Sequence, residues 1–275
     1  MTATLTYGGG TSPITAGRAL KAAATLWFLT AAAGQLVFAA YVAVVYGGAA
    51  LRGDWEAWNR ILPRGLIEGD TAGNTAVVLH LAFAVTITVS GLLQLIPAVR
   101  ARAPAVHRWT GRAYIATAFV VSLGGLYMVW APDRGAVGAL PNWIAISLNA
   151  VLIMACGALA LRHARARDFA RHRRWALRLF LVVNGVWFIR IGVMLWAVLF
   201  QGMDGIGKGF SGPVGIALSF GQFLVPLAVL ELYLLAQERG GAVAKSAMAA
   251  GLVVLTAGMG AGIVAATLFM WLPKM

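Results

Sequence analysis

Arg100-Ala101-Arg102-Ala103-Pro104-Ala105-Val106-His107-Arg108-Trp109 opens a long apolar segment, and Arg165-Ala166-Arg167-Asp168-Phe169-Ala170-Arg171-His172-Arg173-Arg174-Trp175 opens another about 65 residues later. In both, a short basic run lies the same distance ahead of a His-Arg pair, and a tryptophan follows. The chain has only 4 histidines, so two of them at equivalent places mark a duplicated hairpin with a basic turn. The expected halves of this repeat are residues 73–131 and 142–201. Apolar stretches entering and leaving the two turns are each long enough to cross a bilayer as helices, which need about 20 residues. That reading makes the chain a membrane helical bundle.

Composition agrees. Of 275 residues, 60% are hydrophobic and 11% charged, where a soluble domain is about a quarter charged; mean hydropathy is +0.81. Hydropathy places seven transmembrane helices near Ala22–Gly47, Gly73–Val99, Trp109–Ala131, Asn142–Leu161, Trp175–Gln201, Gly212–Ala236 and Ala247–Leu272. The fold class is therefore all-α: one polytopic membrane domain over residues 1–275. Spans two to five form a four-helix core, and spans one, six and seven (22–47, 212–236, 247–272) are accessory. The first apolar block is too long for a signal-peptide core, and no cleavage-like exit follows it.

The net charge of +13 would suggest nucleic acid in a soluble protein, but its placement has a simpler cause. Fifteen basic residues fall at the N-terminal arm and in the second, fourth and sixth connections, against six at the opposite ends. Six acids accompany the smaller group: Asp54, Glu56, Glu68, Asp70, Asp133 and Asp204. The positive-inside rule then puts the N-terminus in the cytoplasm and the C-terminus outside. Membrane lipids are the expected partners, with anionic headgroups at the basic face, and no nucleic acid. Leu51–Thr71, holding Trp55, Trp58, Pro63, Arg64 and Gly65, reads as an external connection with a short interfacial helix. The single cysteine, Cys156, excludes an internal disulfide and reads as a buried thiol.

Two sets of residues carry chemistry. His107 and His172 would face each other at the cytoplasmic ends of spans three and five, related by an axis along the membrane normal. Two imidazoles from facing helices are what a b-type haem iron requires, and Arg108, Arg112, Arg173 and Arg178 could pair with its propionates. The plainer alternative is that these side chains meet lipid headgroups. His163, Asp168 and His172 do not suit a divalent cation, because the arginines around them oppose it. The second set lies within the membrane: His80 in span two and Arg190 in span five are costly to bury and so are functional candidates. By depth, Gln35, Asn149, Asn184 and Gln222 would line the same cavity, suited to a polar head, a quinone or a carboxylate. The alternative is an arginine bonded to helix carbonyls.

Several classes fall away. No lysine lies within a span for a retinal Schiff base, no acid pair for a carboxylate proton relay, and no phosphate-binding glycine loop. The run Gly258-Met259-Gly260-Ala261-Gly262 reads as a helix packing surface.

The pattern Gly91, Gln94, Pro97, Arg100 and His107-Arg108-Trp109-Thr110-Gly111-Arg112-Ala113-Tyr114, followed by Arg171-His172-Arg173-Arg174-Trp175, Arg178 and Arg190, resembles a bacterial multipass membrane family known only as a domain of unknown function. The likeness spans helices two to five, with His80 at the family's histidine, while Ala176 stands where methionine is usual. It implies a bacterial inner-membrane protein and no particular activity. A more distant similarity runs to two-haem transmembrane b-type cytochromes. There His107 and His172 match one ligand pair; the other is broken, since span four offers Asn149 where a histidine would be needed.

The leading expectation is thus membrane electron transfer through a b-type haem on His107 and His172, quinone-linked near His80 and Arg190, with a redox partner. The alternatives are a non-redox transporter or binding protein for a lipid-like or anionic molecule, and a membrane subunit docking a partner through its basic face.

Overall fold

The computed structural model describes residues 12–62, 65–131 and 138–275. Pro63, Arg64, Asp133 and Arg134, read above as parts of external connections, lie outside them.

Several of the long helices start at a proline or a capping side chain. The first, α1 (Pro13–Val42), begins with proline at N1 and is capped by Ser12, whose hydroxyl accepts from the Ile14 amide. It runs on through a π turn, Ala43–Gly47, to Leu51. A short helix, α2 (Glu56–Ile61), follows, at the place expected for an interfacial helix. Asp70 caps α3 (Thr71–Leu95) by accepting from the Gly73 amide at 2.8 Å. Pro97 and Pro104 then start α4 (Pro97–Arg102) and α5 (Pro104–Trp130). Pro104 pulls the first motif inside α5, so His107 sits in its first turn, ahead of the expected start at Trp109. Next come α6 (Leu140–Arg165), α7 (Phe169–Val183) and α8 (Gly185–Leu199). The bundle closes with α9 (Pro213–Arg239) and α10 (Ala242–Ala266), the latter continuing through a second π turn, Thr267–Trp271.

Six of these helices are long and apolar enough to cross a membrane on their own, and the count reaches seven if the bent pair α7 and α8 forms one span. That pair is bent by 52° at Asn184, which hydropathy alone does not reveal. The rim of the bundle carries apolar side chains outward, as Leu123 and Val254 do. In lipid this costs nothing, because the tails are as apolar as leucine.

The hairpin of α3 with α5 and that of α6 with α7 are built differently. In the first, α3 and α5 lie close because Gly91 faces the Tyr114 ring and Gly111 faces the Gln94 amide; Gln94 Nε2 donates to Thr110 Oγ1. In the second, α6 and α7 turn through Arg167 at φ 58°, and Asp168 caps α7 by accepting from the Arg171 amide at 3.1 Å. Ile87, Tyr114, Ala118, Cys156 and Leu179 meet in one buried cluster, so α3, α5, α6 and α7 share a core. The accessory helices are not peripheral. The largest buried cluster joins α1, α8 and α10, with Phe38, Tyr41, Trp187, Ile191, Met259 and Trp271 among its members.

Candidate functional site

The basic turns hold one candidate. His172 on α7 turns its Nδ1 to the Ala160 carbonyl of α6 at 2.9 Å. A carbonyl can only accept, so Nδ1 is the donor in this contact. His107 on α5 lies within electrostatic range of His172 and of Arg100, and its own Nδ1 is enclosed with no partner among the described residues. The two motif histidines therefore approach one another at the same end of the core.

The arginines around them are committed in different ways. Arg178 makes a two-pronged contact with Glu231 of α9, at 2.8 and 2.9 Å, and lies over the Trp175 ring at 4.6 Å. Arg174 pairs with Glu238. Arg112 lies over Trp109 at 4.9 Å, but Trp109 is 68% exposed, so this pair faces the surroundings of the bundle. Arg108 and Arg173 are also exposed. The second motif packs into the core while the first presents its Arg-Trp pair outward. His163 Nδ1 lies 3.7 Å from Asp168, and among the described residues no group of three or more His, Cys, Asp or Glu side chains is placed to hold a metal.

The second candidate lies towards the other end, where both π turns occur. Arg190 donates to the Val186 carbonyl one turn back, at 2.8 Å, and its guanidinium lies over the Phe38 ring at 5.4 Å. Tyr41, Tyr46 and His80 are all within its electrostatic range. Phe38 and Tyr41 both pack on Trp271, with ring centroids at 5.4 and 6.2 Å. Trp58 of α2 closes the end, donating its indole N–H to the Tyr46 carbonyl at 3.0 Å. Trp271, supplied by the second π turn, is completely buried. Such turns often mark functional sites, since the extra residue re-aims side chains.

Polar atoms here lack partners. Among the described residues, Gln35 has none for either amide atom, Trp187 and Trp271 none for their indole nitrogens, and His80 none for Nδ1. Gln35 lies one turn from Phe38 on α1, and Trp187 one turn from Arg190 on α8. Trp187 also packs against Gly34, where a Cβ would come within 2.8 Å of its ring. Buried polar groups are nearly always bonded, to water or ligand where not to protein. Most of these atoms are donors, and with the guanidinium they favour an acceptor.

Asn149, Asn184 and Gln222 serve a different place: the bend between α7 and α8. Asn149 Nδ2 donates to the Val182 carbonyl at 3.1 Å, and Asn184 Nδ2 to the Phe180 carbonyl at 2.7 Å. These amides satisfy backbone groups at the break. Gly185 fits because a Cβ there would meet Asn149 Nδ2 at 2.8 Å and Gln222 Oε1 at 3.1 Å. The cavity expected from depth is therefore two neighbouring polar sites.

Sequence reasoning passed over Phe38, Tyr41, Trp187 and Trp271. Apolar and aromatic residues are common in a membrane segment, and nothing in a one-dimensional pattern marks which indole N–H will be buried without a partner.

A family model described as "Predicted membrane protein (DUF2306)" matches residues 77–234, more than half of the chain, and the chain belongs to that family. No curated protein and no solved structure matches it.

Proposed function

For this member of the DUF2306 membrane family we propose that the Arg190 site binds, or carries across the membrane, an amphiphilic small molecule with an oxygen-rich head. One observation carries the reading: a guanidinium set over the Phe38 ring, among buried N–H groups left unpaired by the described residues. Arg190 has a backbone carbonyl but no carboxylate partner among the described residues, and an anionic or carbonyl oxygen would pair its charge while accepting from the neighbouring donors. The flat faces of Phe38 and Tyr41 suit an apolar body or ring next to the head. A quinone and an anionic lipid share this chemistry.

Mass spectrometry of molecules co-purifying with the protein tests it. The wild type should retain an acidic or quinonoid amphiphile that Arg190→Leu, folded to the same extent, has lost. Identical profiles from both proteins would refute the assignment.

A second reading, a b-type haem ligated by His107 and His172, is favoured by the Ala160 bond, since a backbone carbonyl on Nδ1 is the partner that orients many metal-ligating histidines. A haem bound there would supply one-electron transfer. The donor set fits in its imidazoles and less well in its arginines: Arg178 is engaged by Glu231, and Arg112 faces outward with Trp109. An oxidised-minus-reduced absorbance spectrum decides: a Soret band lost in both His107→Ala and His172→Ala supports this reading, and a featureless spectrum removes it.

A further inference from the structure

The inner face of α5 is unusual for a transmembrane helix. At helical spacing it carries His107, Thr110, Tyr114, Thr117 and Ser122, while its lipid side carries Trp109, Val120, Leu123 and Trp130, all exposed. Tyr114, Thr117 and Ser122 are buried. Three of the inward atoms, His107 Nδ1, Tyr114 Oη and Ser122 Oγ, have no partner among the described residues. From His107 to Ser122 the helix rises by roughly 22 Å, most of the ~30 Å hydrocarbon thickness.

The facing helix adds to this line. Gln94 meets Thr110, and Gly91 meets Tyr114. The same antiparallel register sets Thr88 opposite Thr117, and further along α3 the ring of His80 reaches the backbone of Val121. A polar line thus runs from the motif histidines to His80, whose enclosed Nδ1 is also unpaired. Arg190 stands beyond it.

The geometry points to a hydrogen-bonded file of water along this face of α5, forming a proton path from His80 past Ser122, Thr117 and Tyr114 to the Thr110 hydroxyl. The reason is energetic. Three buried unpaired groups on one helix face each cost about 1–3 kcal/mol, and water, bonding several at once, removes that cost. Hydroxyl and imidazole groups both donate and accept, so a proton entering at one end can be passed on as another leaves, with no net change in the chain. The other charged or titratable groups near this line are Cys156 in the cluster with Tyr114, Arg178 within range of Cys156, His172 and Arg100 near His107, and Arg190 near His80. The Arg190 charge sets an electrostatic barrier at its end of the path. Neither a haem nor the binding role of Arg190 is needed for this proposal.

The test uses the purified full chain in liposomes with an internal pH dye and a valinomycin-set potassium potential. Wild-type vesicles should take up protons faster than protein-free ones, and Arg190→Gln should do so faster still. Tyr114→Phe should slow uptake about tenfold, a barrier change of about 1.4 kcal/mol. Ser122→Ala tests the same line two turns further on and should slow it as well. Tyr114→Phe removes only an unpaired hydroxyl, so a purely structural Tyr114 would leave stability level or improved and the flux unchanged. Wild-type vesicles no leakier to protons than protein-free ones would overturn the proposal, as would equal flux in wild type, Tyr114→Phe and Ser122→Ala. Ligand retention at Arg190 is read separately by mass spectrometry, so the two ideas fail independently.

Discussion

Adding one methyl group at Gly262 should loosen the protein where its accessory helices grip the core. A Cβ there would lie 2.6 Å from the Ile191 carbonyl oxygen and 3.3 Å from the Ile191 Cβ. Ordinary contact begins near 3.4 Å, so α10 would have to retreat from α8 by about 0.8 Å, a gap that forfeits a quarter to a half of each dispersion contact along the seam. The obstacle is backbone and cannot swing aside. Overpacking of this kind costs about 1–3 kcal/mol, and in lipid no hydrophobic drive compensates, because packing is what holds helices together. The same glycine run supplies its own controls. A Cβ at Gly258 comes no nearer than 3.9 Å to Leu195, and one at Gly260 no nearer than 3.9 Å to Thr30. Reversible unfolding in mixed micelles of rising SDS fraction measures the three alanine variants side by side. Gly262→Ala should lose about 2 kcal/mol while the other two stay within about 0.5 kcal/mol of wild type. Equal stability of all three variants would refute the close-packing argument, and so would equal loss.

Other outcomes follow from the same contacts. Asn149→Ala removes the donor to the Val182 carbonyl at the bend and should cost about 1 kcal/mol in the SDS assay, the scale of interhelical hydrogen bonds in membranes; no change would mean the bend does not need its amide. The two motif tryptophans should behave unequally. Trp109→Ala, at a 68% exposed site, should stay within about 0.5 kcal/mol of wild type, whereas Trp175→Ala, packed against the core and under Arg178, should lose roughly 2 kcal/mol. Glu231→Gln leaves Arg178 without its carboxylate, yet at half-exposed Glu231 the loss should remain below about 1 kcal/mol and shrink further in high salt. A larger, salt-independent loss would show that the pair is shielded from solvent.

The apolar blocks, their length and the arginine-rich turns were enough to specify a multipass helical protein, because the bilayer sets segment length and demands internally bonded backbone. The helix starts at Pro13, Asp70, Pro104 and Asp168 were not read from hydropathy, which placed the spans from Ala22, Gly73, Trp109 and Trp175, because each helix extends beyond its most apolar stretch. The two histidines were legible as a pair because a similar basic run precedes each of them in the sequence. What the pattern along the chain did not determine depends on contacts between distant segments. Hydropathy averages over a window, so the 52° bend at Asn184 and the amides that stitch it passed as one continuous span. The asymmetry between the two motifs, one facing outward and one packed on Glu231 and the core, arises only once α9 lies beside α7. The clearest case is the Arg190 site. Its arginine stands out in any membrane sequence, but its aromatic walls and unpaired N–H groups come from α1, α8 and α10, and burial of a polar atom is a property of the packed bundle and not of the chain.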